Sequence, residues 1–134
     1  MLITGAYTDG ITNTSVYEMY PMGLLSMTDT LQRYGRSARI INLANLMIKY
    51  KNLDVPKYLS KLSAKIFAFD LHWMIHSHGV INVSKIMKSL HPNSKIMLGG
   101  FTSSYFAELI MRNFDHIDFI LRGDTVELLL LKCL

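Results

Sequence analysis

Apolar positions along this chain come in two rhythms, and their alternation is the first information it gives. Short, nearly unbroken apolar runs occur at Met1–Gly5, Ala38–Asn42 (ARIIN), Lys65–Leu71 (KIFAFDL), Ile96–Leu98 and Ile117–Leu121 (IDFIL). Runs of that length and continuity suit strands of a parallel sheet covered on both faces. Between them the apolar residues recur at helical spacing. Leu24, Leu25, Met27, Thr28 and Leu31 mark one face after Pro21, and Gly35 stands where a helix ends. Leu43, Leu46, Met47 and Tyr50 mark another, and Asp54 before Pro56 caps a short piece running to Leu62. A longer helix buries Val80, Ile81, Val83, Ile86, Met87 and Leu90 until His91-Pro92-Asn93 stops it. Tyr105–Phe114 follows, and Asp124 with Glu127 resembles a capping box opening a last helix.

Strands alternating with helices predict an α/β domain with a parallel sheet and right-handed crossovers. Five strands suit a flavodoxin-like or Rossmann-like doubly wound sheet in the order 2-1-3-4-5. Ala6–Tyr20 is a polar stretch without a clear period, and loops of that length in compact domains are usually functional or disordered. No repeat and no linker divides the chain, so residues 1–134 read as one domain.

Composition narrows the function classes. Half of the 134 residues are hydrophobic and 18% are charged, as in a globular protein. No run reaches the roughly 18 apolar residues of a membrane span, and MLITGAYTDG lacks the features of a secretory signal. The single cysteine, Cys133, excludes an internal disulfide and fits a reducing, cytoplasmic setting. The net charge of +4 is modest, and Lys49, Lys51, Lys57, Lys61 and Lys65 alternate with apolar residues as on solvated helix faces. A nucleic-acid groove would gather its cations on one surface with stacking aromatics. The expectation is therefore neither nucleic acid nor membrane as partner. Nine methionines read as core filling.

Candidate chemistry collects at the ends of strands. On a doubly wound sheet, the loop after Gly5, Asp70-Leu71-His72, Gly99-Gly100 and Arg122-Gly123-Asp124 would share the carboxyl edge, where such folds bind ligands. The glycine pair is the centre of that set, because backbone without Cβ atoms lets a bulky ligand approach. His72, His76 and His78 invite a metal reading, yet no carboxylate or cysteine follows at ligand spacing, and polar residues lining an edge explain them more simply. Ser103 and Ser104 lack a G-x-S-x-G context and read as helix N-caps. Neither G-x-G-x-x-G nor a P-loop is present, which disfavours NAD and ATP. Asp70 as the phosphate acceptor of a receiver domain would need an acidic cluster after strand one and a lysine after strand five. The chain has Asp9 alone and Arg122.

The blocks YPMGLLSMTDTLQRYGRSARIINL, FAFDLHWMIHSHG, KIMLGGFTSSYFAELI and IDFILRGD, spanning Tyr20 to Asp124, carry a resemblance. Together they resemble the N-terminal cobalamin (B12)-binding domain of B12-dependent radical S-adenosylmethionine enzymes. The resemblance implies a corrinoid across the carboxyl edge, its nucleotide tail in a slot beside Gly99 and Gly100. Asp70, Leu71 and His72 would line the corrin's lower face, Phe101, Thr102 and Ser103 would flank the tail, and Arg122, Gly123 and Asp124 would border the far side. The D-x-H-x-x-G motif that supplies a cobalt-ligating histidine in related domains is missing, so a base-off form without a histidine ligand is expected. The C-x-x-x-C-x-x-C motif for an iron–sulfur cluster is missing too. The cluster and S-adenosylmethionine would therefore belong to a separate domain joined in cis, and the chain reads as a module truncated at both ends. Two competing expectations are a non-catalytic α/β fragment or interaction module without cofactor, and a flavin-binding relative of flavodoxin.

Overall fold

The computed structural model describes residues 1–4, 22–124 and 126–133. Its centre is a pair of parallel strands, β3 (Ile66–Asp70) and β4 (Lys95–Gly99), in register from Ile66 opposite Lys95 to Asp70 opposite Gly99. Both are buried through their three middle residues, which is what an apolar run flanked by polar ends should do between two helical layers. On the other side of β3 lies β1 (Leu2–Thr4), followed by β2 (Ile40–Asn42), while β5 (Phe119–Ile120) adds to β4. All pairings are parallel, and the described residues are hydrogen-bonded in the order β2-β1-β3-β4-β5.

Side-chain alternation divides the core in two. Phe67, Phe69, Ile96 and Leu98 point into one cluster with Leu59 of α3 (Val55–Leu59), Val80, Val83 and Met87 of α4 (Ser77–Leu90), and Ile110 of α6 (Ala107–Asn113). Ala68 and Met97 point the other way, to Leu24 and Leu31 of α1 (Met22–Arg33) and Leu130 of α7 (Glu127–Cys133). Fully burying each such large apolar side chain contributes about 2 kcal/mol. The two short remaining helices are α2 (Leu43–Lys49) and α5 (Phe101–Tyr105). No described helix is long and apolar enough to cross a membrane.

Local signals place most boundaries. Asn42 caps α2 by accepting from the Asn45 amide at 2.9 Å, and Asp54 caps α3 by accepting from the Lys57 amide at 3.0 Å. After α1, Gly35 takes φ 71°, its N–H donates to the Gln32 carbonyl, and the Arg36 N–H donates to Leu31, a Schellman stop. Beyond these, several expectations are corrected. The helix expected from Tyr105 starts at Phe101, because Gly100 is its N-cap, so Ser103 and Ser104 lie within the helix rather than capping it. It breaks at Phe106 (φ −98°, ψ 19°) before α6. Glu127 is the first residue of α7 rather than the fourth member of a capping box, and its carboxylate instead accepts from Ser26 Oγ of α1 at 3.0 Å. The expected polar loop Ala6–Tyr20, with Gly5 and Pro21, lies outside the described residues.

At the amino edge of the sheet Asp118 is a staple. Its carboxylate accepts from Lys95 Nζ (2.7 Å), Lys88 Nζ (2.9 Å) and the Ile96 amide (2.8 Å). Burial pushes this carboxyl up, but the hydrogen bonds from Lys95, Ile96 and Lys88 and the Lys88 charge outweigh it and hold it at about 2.

Candidate functional site at the carboxyl edge

Each of β3, β4 and β5 ends on the same edge, and the three loops that follow are hydrogen-bonded to one another. The Leu71 N–H donates to the Gly99 carbonyl (2.7 Å), Thr102 Oγ1 donates to the His72 carbonyl (2.9 Å), and the Gly123 N–H donates to Ser104 Oγ (3.2 Å). Ser103 is fully buried; its hydroxyl donates to the Gly100 carbonyl (2.9 Å) and its N–H to the Leu71 carbonyl (3.3 Å). The Thr102 and Ser104 hydroxyls and the Ser103 N–H thus serve as cross-ties, which a periodicity reading of GGFTSSYFAE does not foresee.

The two glycines do different work. Gly100 sits at φ 105° and ψ 173°, and a Cβ on it would lie 2.7 Å from the Leu71 carbonyl carbon and 2.8 Å from the His72 nitrogen. That side of Gly100 is filled by this chain's own β3 loop. Gly99 is the opposite case: among the described residues nothing lies within 4 Å of where its Cβ would be. By alternation Gly99 and its register partner Asp70 continue the Ala68/Met97 series, so they open toward the α1/α7 side. Among the described residues the backbone left open is therefore that of Gly99, while Gly100 lets two loops touch.

Asp70 is half-buried at the end of β3. Burial pushes its carboxyl above the usual carboxylate range, against the pull of His72 and His76. Burial likewise lowers His76, against the Asp70 charge. The Leu71 side chain is 1% exposed and belongs to the core; the edge has only its backbone. His72 stands with its ring edge-on to Phe101 (centroids 4.8 Å apart) and to Trp73 (5.0 Å). Phe101 and Trp73 are 58% and 56% exposed, and Met74 beside them is 63% exposed. Arg122, Gly123 and Asp124 lie exposed beyond β5, joined to the rest through Gly123. Among the described residues no group of three or more His, Cys, Asp or Glu side chains is placed to hold a metal ion.

Sequence reasoning missed two features. One is the exposed apolar lip of Trp73 and Met74, whose signal was an aromatic directly after a strand end. The other is a mostly apolar cleft of about 470 Å³ between α4 and α6, with Leu71, Met74 and Thr102 at its upper end.

A parallel sheet with glycine backbone open to the described residues at one strand end, a carboxylate beside it and large apolar side chains on the rim has the features of the carboxyl edge at which open α/β sheets take small molecules. The chain belongs to the B12-binding domain family, whose model matches residues 8–130. No curated protein and no solved structure matches it.

The residues fit a corrinoid. No described residue lies within 4 Å of where a Gly99 Cβ would stand, which leaves room for a ligand against the backbone, and the Trp73–Met74–Phe101 rim offers an apolar surface on which a flat macrocycle can rest.

Proposed function

We propose that this chain is a cobalamin-binding module, the corrinoid lying across the carboxyl edge with its nucleotide arm passing over Gly99. The observation that carries the reading, beside the family match, is that no described residue lies within 4 Å of the Gly99 Cβ position, in register with Asp70. The flavodoxin-like order 2-1-3-4-5 is the scaffold it uses. His72, Phe101 and Trp73 border the ring, Thr102 and Ser103 hold the loops that flank the arm, and Arg122, Gly123 and Asp124 close the far side. Bound cobalamin would supply organocobalt chemistry, while the chain binds, orients and shields it. The form proposed is base-off without a histidine ligand, in the service of a radical S-adenosylmethionine domain joined in cis that carries the iron–sulfur cluster.

Titration of the purified chain with hydroxocobalamin tests this. Saturable uptake in equilibrium dialysis, with a visible spectrum shifted to the base-off form, is expected. Trp73 is the only tryptophan, so its emission should be quenched in the same titration. A folded chain that takes up no corrinoid refutes the proposal. It would favour an interaction module instead, a reading to which the exposed Leu128 and Leu129 of α7 lend support. Uptake of flavin in place of corrinoid would favour the flavodoxin relative.

A further inference from the structure

Asp70 has an arrangement that the fold does not require. It is the last residue of β3, its register partner is Gly99, and alternation turns both toward the same opening. Neighbouring strands are about 4.8 Å apart, so the carboxylate borders the space over Gly99. No described residue donates a hydrogen bond to it; the His72 and His76 imidazoles act on it through their charge. A half-buried carboxylate to which no described residue donates has lost part of its hydration and regained from those residues only the charge of two imidazoles. Among the described residues Asp70 therefore keeps accepting capacity unused, on the side where Gly99 opens.

We infer that Asp70 is the acceptor that reads the ligand: its carboxylate takes a hydrogen bond from an N–H or O–H donor of the molecule lying over Gly99. The inference rests on the cobalamin reading and adds a specificity residue to it. A corrinoid carries two kinds of donor within such reach, the primary amides of the ring periphery and the hydroxyl of the nucleotide ribose. Both are neutral donors, so the chemistry at Asp70 is the same for either. A carboxylate accepting from a neutral donor makes a stronger bond than a neutral acceptor does, and it discriminates against ligands that present an acceptor there.

The test compares the wild-type chain with Asp70→Ala and Asp70→Asn, using hydroxocobalamin and cobinamide, which lacks the nucleotide arm. Losing a hydrogen bond to a charged group should weaken cobalamin binding roughly 10- to 100-fold in Asp70→Ala, and less in Asp70→Asn, whose carbonyl can still accept. A loss for cobalamin alone assigns the donor to the arm; an equal loss for both ligands assigns it to the ring amides. Either result supports the inference. Thermal unfolding supplies the structural control: both variants should melt at or above the wild-type temperature, because an undonated carboxylate has been removed. Unchanged affinity for both ligands in folded Asp70→Ala overturns the inference and leaves the cobalamin reading standing. A melting temperature well below wild type in both variants also overturns it, since Asp70 would then be structural. If the wild-type chain binds neither ligand, the cobalamin reading falls and takes this inference with it.

Discussion

Adding one methyl group at Gly100 should damage this protein far more than adding three carbons at Gly99. The Gly100 Cβ would stand 2.7 Å from the Leu71 carbonyl carbon and 2.8 Å from both the Leu71 oxygen and the His72 nitrogen. All three are backbone atoms, and they cannot swing aside as a side-chain tip would. The Leu71 N–H is held by Gly99, the Leu71 oxygen accepts from Ser103, and the His72 carbonyl accepts from Thr102. The φ of 105° with ψ of 173° adds a conformational cost of about 1–3 kcal/mol for any residue with a Cβ. Forcing the loops apart costs about 1–3 kcal/mol more, as overpacking does elsewhere. Gly100→Ala should thus lose about 4 kcal/mol, a large share of the roughly 5–15 kcal/mol that holds a domain together. In urea, with a slope of about 2 kcal/mol per molar, the midpoint should fall by about 2 M at unchanged slope. Gly99→Val is the matched control, with nothing within 4 Å of its Cβ among the described residues and a strand conformation that valine favours. Its midpoint should stay within about 0.5 M of wild type, while cobalamin affinity falls at least roughly 10-fold because the cradle is filled. A Gly100→Ala protein as stable as wild type would refute the division of labour between the two glycines.

Asp118→Asn should cost about 1 kcal/mol after solvent screening, since Lys95 is well exposed and returns to water on losing its partner. The linkage has a definite sign. The carboxyl titrates at about 2 in the folded chain against 3.8 in the unfolded one, so its contribution is complete above about pH 4 and is lost as pH falls toward 2. Acid titration of stability should therefore be shallower in Asp118→Asn over that window. His116 runs the other way: burial holds it below 6.5, so the unfolded chain takes up the proton first and stability falls as pH drops through 6.5. His116→Gln should flatten that part of the profile, measured as the difference in melting temperature between pH 7.5 and 5.5. Ser84→Ala should cost about 1 kcal/mol, because the Ser84 hydroxyl donates to the Ile81 carbonyl and leaves His116 Nε2, 3.0 Å away, to donate to its oxygen.

The α/β class and the parallel sheet were legible because IFAFD and KIMLG carry no polar residue between their ends. Only burial on both faces accommodates such runs. A cap written in the local chain was legible too: Asp54 needs only a backbone amide three residues on. What failed were readings whose deciding partner is distant in sequence. Glu127 looked like half of a capping box until Ser26, 101 residues away, drew its carboxylate. Ser104 looked like a cap until Gly123, 19 residues away, proved to be its partner.

The glycine pair shows why an edge can be foreseen while its chemistry stays hidden. A double glycine after a strand says that two Cβ atoms are unwanted, but not by whom. Alternation sends the two vacant directions apart, so one ligand cannot occupy both. Here the β3 loop takes the direction at Gly100 and thereby fixes Leu71, His72 and Asp70 relative to Gly99. The residue that looks most like a ligand contact is thus the one that builds the site. The open direction is its neighbour's, next to a carboxylate to which no described residue donates.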